Sequence, residues 1–174
     1  NGKWGFINTK GEVVVPCIYD EVGFFFEGLA SVMQNGKWGF INTKGEVVIP
    51  CIYDRAGVFS EGLVKVKQNG KWGFINTKGE VVIPCIYDDA WYFSEGLAGV
   101  EQNGKIGFIN TKGEVVIPCI YDDAERFSEG LAPVEQNGKW GFINTKGEVV
   151  IPCIYDEAWS FFEGLARVER NGKF

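Results

Sequence analysis

The chain has 174 residues, 45% of them hydrophobic and 23% charged, with a formal net charge of −6 and no histidine. This is enough apolar material for a globular core, but the acidic balance leaves no basic footprint for nucleic acid, and the missing histidine removes Ser-His and Cys-His nucleophile systems. No run approaches the ~20 apolar residues that cross a bilayer as a helix, and the polar first residues carry no signal-peptide pattern.

One unit accounts for the whole chain. Asn1-Gly2-Lys3-Trp4-Gly5-Phe6-Ile7-Asn8-Thr9-Lys10-Gly11-Glu12 returns at Asn35, Asn69, Asn103 and Asn137, and a sixth copy starts at Asn171. The repeats are therefore 1–34, 35–68, 69–102, 103–136 and 137–170, with 171–174 opening the next, in one repeat domain over 1–174. A unit of this length cannot bury its own apolar residues, so copies must stack on copies.

In chain order, the first repeat reads as β structure throughout. Trp4–Asn8 is rich in aromatic and branched residues and forms a strand. Thr9-Lys10-Gly11 suits a three-residue hairpin loop with glycine at its bulge position. Glu12–Val15 continues as the next strand until Pro16 marks an end, bulge or edge, and Cys17–Asp20 is either its tail or a short further element. Both faces of Val13–Tyr19 are apolar, which predicts burial on both sides. Glu27-Gly28 punctuates. Leu29–Gln34 is a strand with a half-solvated face, and Asn35-Gly36 is a two-residue hairpin signal that pairs it with Lys37–Asn42. Tetratricopeptide units share this length, but they are helix pairs, and here no window of helical length escapes glycine or proline.

The expected architecture is all-β: a closed toroid, five-bladed and propeller-like, in which Leu165–Arg170 pairs with Trp4–Asn8 and completes the fifth unit. Closure of this kind removes bare sheet edges. An open β-solenoid or superhelical array is the alternative.

The motifs Asn-Gly-Lys-Trp-Gly-Phe-Ile-Asn, Gly-Glu-Val-Val-Ile-Pro, Tyr-Asp and Phe-Ser-Glu-Gly-Leu-Ala-x-Val resemble the WG-repeat (KWG) family, common in bacterial proteins. The resemblance covers essentially the whole chain and implies repetitive β structure with an interaction role. It implies no catalytic motif. Ile106 departs from it by replacing the name-giving tryptophan, which points to packing at that position.

The search for chemistry is negative. Cys17, Cys51, Cys85, Cys119 and Cys153 share one offset and are odd in number, so they read as small buried side chains. Five thiols with no internal pairing favour a reducing compartment such as the cytoplasm. No close CxxC or histidine-containing cluster is present, so no metal and no cofactor is expected. Glu12, Asp20 and Glu27 recur in every copy, which suits turns and caps: Asp20 is read as bonding backbone amides, and Lys3 and Lys10 as solvated. No enzymatic activity is expected.

The copies themselves show what varies. The first twenty positions are almost fixed, whereas Glu21-Val22-Gly23-Phe24 stands against Arg55-Ala56-Gly57-Val58, Asp89-Ala90-Trp91-Tyr92, Asp123-Ala124-Glu125-Arg126 and Glu157-Ala158-Trp159-Ser160. A constant frame with one varied patch is how repeat scaffolds present binding surfaces, although unrestrained loops also drift. Phe24, Trp91, Tyr92, Arg126 and Trp159 are the candidate ligand-binding residues, with help from the positions of Ser31 and Met33. The function read from this is a non-catalytic, monomeric scaffold for a protein partner. The alternatives are a lectin-like module in which Trp91, Tyr92 or Trp159 stacks on a sugar, and a recently amplified or engineered repeat protein with no evolved ligand.

Overall fold

The computed structural model describes residues 2–172, so the end of the sixth copy, residues 173 and 174, lies outside the described residues. All regular structure among them is β. The chain divides into two compact units, Asn1–Ile86 and Tyr87–Phe174.

The first unit opens on a two-stranded sheet of β1 (Trp4–Ile7) and β2 (Val13–Tyr19). A four-stranded sheet follows, in the order β3 (Glu21–Phe26), β4 (Leu29–Gln34), β5 (Lys37–Asn42) and β6 (Val47–Tyr53). The next is built the same way from β7 (Arg55–Ala56), β8 (Leu63–Gln68), β9 (Lys71–Asn76) and β10 (Val81–Tyr87). The second unit holds β11 (Asp89–Ala90), β12 (Leu97–Gln102), β13 (Lys105–Asn110) and β14 (Val115–Tyr121) in one sheet. A second sheet has β15 (Asp123–Ala124), β16 (Leu131–Gln136), β17 (Lys139–Asn144) and β18 (Val149–Tyr155), and β19 (Glu157–Ala158) pairs with β20 (Val168–Glu169). Each complete sheet thus takes its first two strands from one repeat and its last two from the next. The sheet partner of β1 is β2 and that of β20 is β19, so the expected pairing of Leu165–Arg170 with Trp4–Asn8 is not among the sheets.

The turns follow the local chemistry. Asn35 and Gly36 both take positive φ, 53° and 74°, the geometry of a two-residue hairpin turn whose twist matches the flanking strands. Gln34 then faces Lys37 and Leu29 faces Asn42, as predicted. In the loop after β1, the Gly11 amide bonds the Asn8 carbonyl at 3.0 Å and Gly11 sits at φ 82°, the three-residue loop expected there.

Two expectations about the strands are corrected. Leu29–Gln34 is buried through Val32, so its half-solvated face is reduced to Met33 and Gln34, whereas the equivalent strand β8 keeps Lys65 and Lys67 half-buried on one face. Val13–Tyr19 is not buried on both sides. Only Val15 and Tyr19 are buried in β2, since this strand forms the sheet edge. Its register against β1 jumps from Val15 to Tyr19 while β1 advances only from Phe6 to Trp4, and the surplus residues around Pro16 form a bulge that lies over Gly5 of β1. An edge bulge is where a strand tolerates proline.

Neighbouring sheets pack face to face within each unit. In the first unit Phe40, Ile49 and Tyr53 of one sheet meet Phe59, Val64, Val66 and Ile75 of the next, while Ala30, Val32 and Ile41 on the opposite face meet Val15 and Tyr19. In the second, Phe108, Ile117 and Tyr121 meet Phe127, Ala132, Val134 and Ile143. An edge-to-face phenylalanine pair recurs at these junctions, with centroids 4.9 Å apart for Phe6–Phe25, 5.0 Å for Phe40–Phe59 and 4.9 Å for Phe108–Phe127.

Candidate functional site

The fixed residues are occupied by the frame. At Gly39 a Cβ would lie 2.4 Å from the Ile49 carbonyl oxygen and 2.7 Å from the Cys51 nitrogen. The bulge around Pro50 leans over this glycine, so the residue after each Trp must lack a side chain. The Cys51 thiol occupies the same region and reaches the Val32 carbonyl at 3.6 Å, as Cys85, Cys119 and Cys153 do with Val66, Val100 and Val134. Burial pushes these four thiols above their ordinary pKa, which suppresses the nucleophilic thiolate. Cys17 is the exposed member of the set.

The recurring carboxylates are committed to loops. Asn8 Oδ1 accepts from the Lys10 and Glu12 amides at 2.9 and 3.0 Å, while Asn8 Nδ2 donates to Glu12 Oε2 at 2.6 Å. Glu27 Oε2 accepts from the Gly62 amide at 3.0 Å, and Glu95 and Glu129 make the same bond to Gly130 and Gly164, so this acid ties one repeat to the next. Asp20 Oδ2 accepts from the Asn35 amide at 2.9 Å, as expected. Lys3 departs from expectation: its ammonium pairs with Asp20, as Lys37, Lys105 and Lys139 do with Asp54, Asp122 and Asp156.

These lysines, followed mainly by the asparagine amides, hold the four aspartates below the usual carboxylate range. A carboxyl depressed in the folded state stabilises it above the unfolded pKa, about 3.9, and that contribution is lost as pH falls through the folded value. Melting temperature should therefore stay level from neutrality down to about pH 4 and then drop. The drop should be shallower in the quadruple Asp→Asn variant, measured by thermal scans across pH. An equal slope in the variant would remove these pairs from the acid transition.

The varied residues lie on the first two strands of each sheet and, where the first strand is only two residues long, in the residues that follow it. Register places Glu21 opposite Met33, Arg55 opposite Lys67, Asp89 opposite Glu101, Asp123 opposite Glu135 and Glu157 opposite Glu169. Two residues along, the amide of Gly57 bonds the carbonyl of Lys65 at 2.9 Å, Trp91 that of Gly99 at 2.9 Å, Glu125 that of Pro133 at 3.0 Å and Trp159 that of Arg167 at 3.0 Å. The Trp91 ring lies over Gly99, where a Cβ would come within 2.7 Å of Cε3. Lys65, whose carbonyl faces Gly57, reaches over the Trp72 ring, 4.7 Å from its centroid. Arg167 stacks on Trp159 at 4.4 Å.

Matches to the model described as "WG containing repeat" fall at residues 4–38, 38–72, 72–105, 106–140 and 140–174. The chain belongs to the WG-containing repeat family. Among solved structures it is similar to a eukaryotic initiation factor, at 13% identity over 87% of this chain and 50% of that one, with a TM-score of 0.56. The chain thus spans half the length of that relative, and the likeness is one of β fold. A plant albumin from Cicer arietinum showing hemagglutination is also similar, at 11% identity over 72% of this chain and 86% of that one, with a TM-score of 0.30. No curated protein matches.

Within the WG repeats the candidate residues separate by environment. Phe24 is 82% exposed, where β3 bulges between Val22 and Phe25. Tyr92 is 48% exposed, and Arg126 is exposed. Trp91 is half-buried against the core of the second unit. It lines a shallow indentation, open to solvent and too small for a ligand, with Gly99, Ile106, Phe108, Ala124, Glu125 and Arg126. Trp159 is half-buried under Arg167. No group of three or more potential metal-ligating side chains occurs among the described residues.

Ile106 takes its meaning from Trp91. It is 6% exposed and lies in the same sheet, so where the signature tryptophan is lost another indole covers the space. The three-way change of Trp91, Gly99 and Ile106 shows in the sequence only when the three positions are compared together, which a reading of Ile106 by itself does not do. Trp91→Ala should accordingly cost about 1–3 kcal/mol, less than a fully buried Trp→Ala. Trp159→Ala should cost under about 1 kcal/mol, the scale of an exposed cation–π contact. Urea denaturation of the two variants checks this order.

Proposed function

We propose that this WG-repeat chain is a non-catalytic scaffold for a protein partner, with each sheet offering its own side chains from a shared frame. The observation that carries this is the register: positions that differ between copies face one another on the first two strands, while the fixed positions pack sheets or close loops. A repeat lectin would be expected to present the same polar set in each pocket, and here the sets differ in every sheet, which favours a protein surface.

The reading includes closure of the fifth sheet by the two ends of the 174-residue chain. Ile7 is 67% exposed and Leu165 77%, whereas Ile41 and Leu29, at the same offsets in a complete sheet, are 0% and 7%. Large apolar side chains at core offsets call for cover. Carrying over the register of β4 and β5 sets Leu165 opposite Asn8, Ala166 opposite Ile7 and Glu169 opposite Trp4.

The test of the scaffold reading replaces Phe24, Tyr92 and Arg126 together by Ser, the residue present at Ser160. Affinity capture from cells of origin should identify a partner of the native chain that the triple variant loses without a change in melting temperature. Undiminished capture of that partner by the variant would contradict the reading.

A further inference from the structure

The two asparagines of each repeat meet different surroundings. Asn42 donates from Nδ2 to Glu46 at 2.7 Å, its Oδ1 accepts from the Lys44 and Glu46 amides at 2.9 and 3.0 Å, and Thr43 follows it. Asn35, Asn69, Asn103 and Asn137 are exposed, and each is followed by a glycine. An added Cβ at Gly36, Gly70, Gly104 or Gly138 would meet nothing within 4 Å, so nothing shields these peptide nitrogens from the side side chains cover elsewhere.

An exposed Asn-Gly pair reacts with itself. The glycine nitrogen bonds to Cγ of the asparagine, the bond from Cγ to the side-chain nitrogen breaks, and ammonia leaves with the proton of the glycine amide. Water then opens the resulting five-membered imide at either carbonyl, giving aspartate or isoaspartate. Forming that ring brings the glycine nitrogen nearly into line with Cβ about the Cα–C bond. Here the asparagines sit at φ of 53°, 52°, 55° and 55°. In this left-handed region ψ is about +47°, which holds the nitrogen and Cβ on nearly opposite sides of the bond. The turn must therefore open before it can react. Opening is opposed by an aspartate from outside the hairpin: Asp20, Asp54, Asp88 and Asp122 accept from the amides of Asn35, Asn69, Asn103 and Asn137 at 2.9, 3.0, 2.9 and 2.8 Å. These are bonds to an ionised acceptor on the residue that has to rotate.

We propose that Asn35, Asn69, Asn103 and Asn137 are latent sites of spontaneous conversion to aspartate and isoaspartate, and that the upstream aspartate of each keeps the site closed. The isoaspartyl product routes the main chain through the former side chain and adds one backbone atom to a two-residue loop. The register of Gln68 with Lys71 has no room for that atom, and the new carboxylate lies beside the upstream aspartate. The modification would thus open a sheet at its central hairpin whether or not the chain has a partner.

The 174-residue chain is incubated at mildly alkaline pH with and without urea, and each asparagine is followed by peptide mapping, with enzymatic methylation of isoaspartate as a second readout. In urea, Asn35, Asn69, Asn103 and Asn137 should convert at similar rates, well ahead of Asn42, Asn76, Asn110 and Asn144. In the folded chain they should convert at least about tenfold more slowly, because the rate follows the fraction of time each turn is open. Asp54→Ala should speed Asn69 about tenfold, the effect of losing one hydrogen bond to a charged acceptor, and leave Asn35 and Asn137 at their native rates. Lys37→Ala removes the cation from Asp54 but leaves its bond to the Asn69 amide, and should change Asn69 far less. The proposal is overturned if the folded chain converts as fast as the chain in urea, if Asp54→Ala leaves Asn69 unchanged, or if Lys37→Ala matches it. It is equally overturned if Asp54→Ala speeds Asn35 and Asn137 as much as Asn69, the mark of general unfolding.

Discussion

Alanine at Gly107 should be among the most damaging single substitutions in this chain. Its Cβ would meet the Ile117 carbonyl oxygen at 2.4 Å and the Cys119 nitrogen at 2.6 Å. Those atoms belong to the backbone of the bulged edge strand, which cannot rotate aside as a side chain can, and the strand is pinned by Ile117 and Tyr121 in the core. The expected cost is about 3 kcal/mol or more, at or beyond the upper end of ordinary overpacking. Gly104→Ala is the matched control. That turn glycine has φ 72°, and a Cβ there would meet nothing within 4 Å, so only the left-handed conformation is penalised, at about 1–2 kcal/mol. Urea denaturation of the two variants should separate them clearly, and equal losses would show that the bulged strand yields to the added methyl group.

The second large effect concerns the ends. Ile7→Asp and Leu165→Asp alter residues that are mostly exposed, and exposed substitutions usually fall within about ±0.5 kcal/mol. A completed fifth sheet would bury both. Each variant should then lose about 3 kcal/mol or more, as for Ile41→Asp in a complete sheet, and the double variant should lose much less than the sum, because both break one junction. Denaturation curves and sedimentation of the three variants measure this. Near-neutral single variants in a monomeric protein would mean that the ends stay apart.

Much of the fold is legible in the sequence because short-range chemistry determines it. Asn35-Gly36 and Thr9-Lys10-Gly11 announce their hairpins, since few residues adopt positive φ without cost. Glu27-Gly28 uses the same conformation, with φ of 49° and 80°, but glutamate is not a turn residue by habit. The position is held by its carboxylate bond to the next repeat, a contact between copies that no single unit displays. The strand after that turn is plain in the sequence, whereas the strand before it is not: in most copies it is only two residues long, as in Arg55–Ala56 and Asp89–Ala90. The apolar run of Val13–Tyr19 misleads because composition does not reveal a bulge, and the bulge exposes residues that strict alternation would bury. Lys3 reads as solvated because its partner Asp20 comes from a strand end rather than from its own turn. Among the candidate site residues, Phe24, Tyr92 and Arg126 reach solvent. Trp91 and Trp159 are drawn inward by the small Gly99 and by the stacked Arg167.

The central claim, a frame whose fifth sheet is built from both ends of the chain, is tested most directly at Cys17. In complete sheets the thiol at this offset points across the glycine to a valine carbonyl, as Cys51 does to Val32, and the corresponding carbonyl for Cys17 would be that of Val168. Alkylation of the native 174-residue chain with limiting iodoacetamide, resolved by mass spectrometry for each cysteine, reads this out. Closure predicts that Cys17 reacts as slowly as Cys51, Cys85, Cys119 and Cys153, and becomes fast in Leu165→Asp. A Cys17 that reacts several-fold faster than the other four in the native chain would contradict the account.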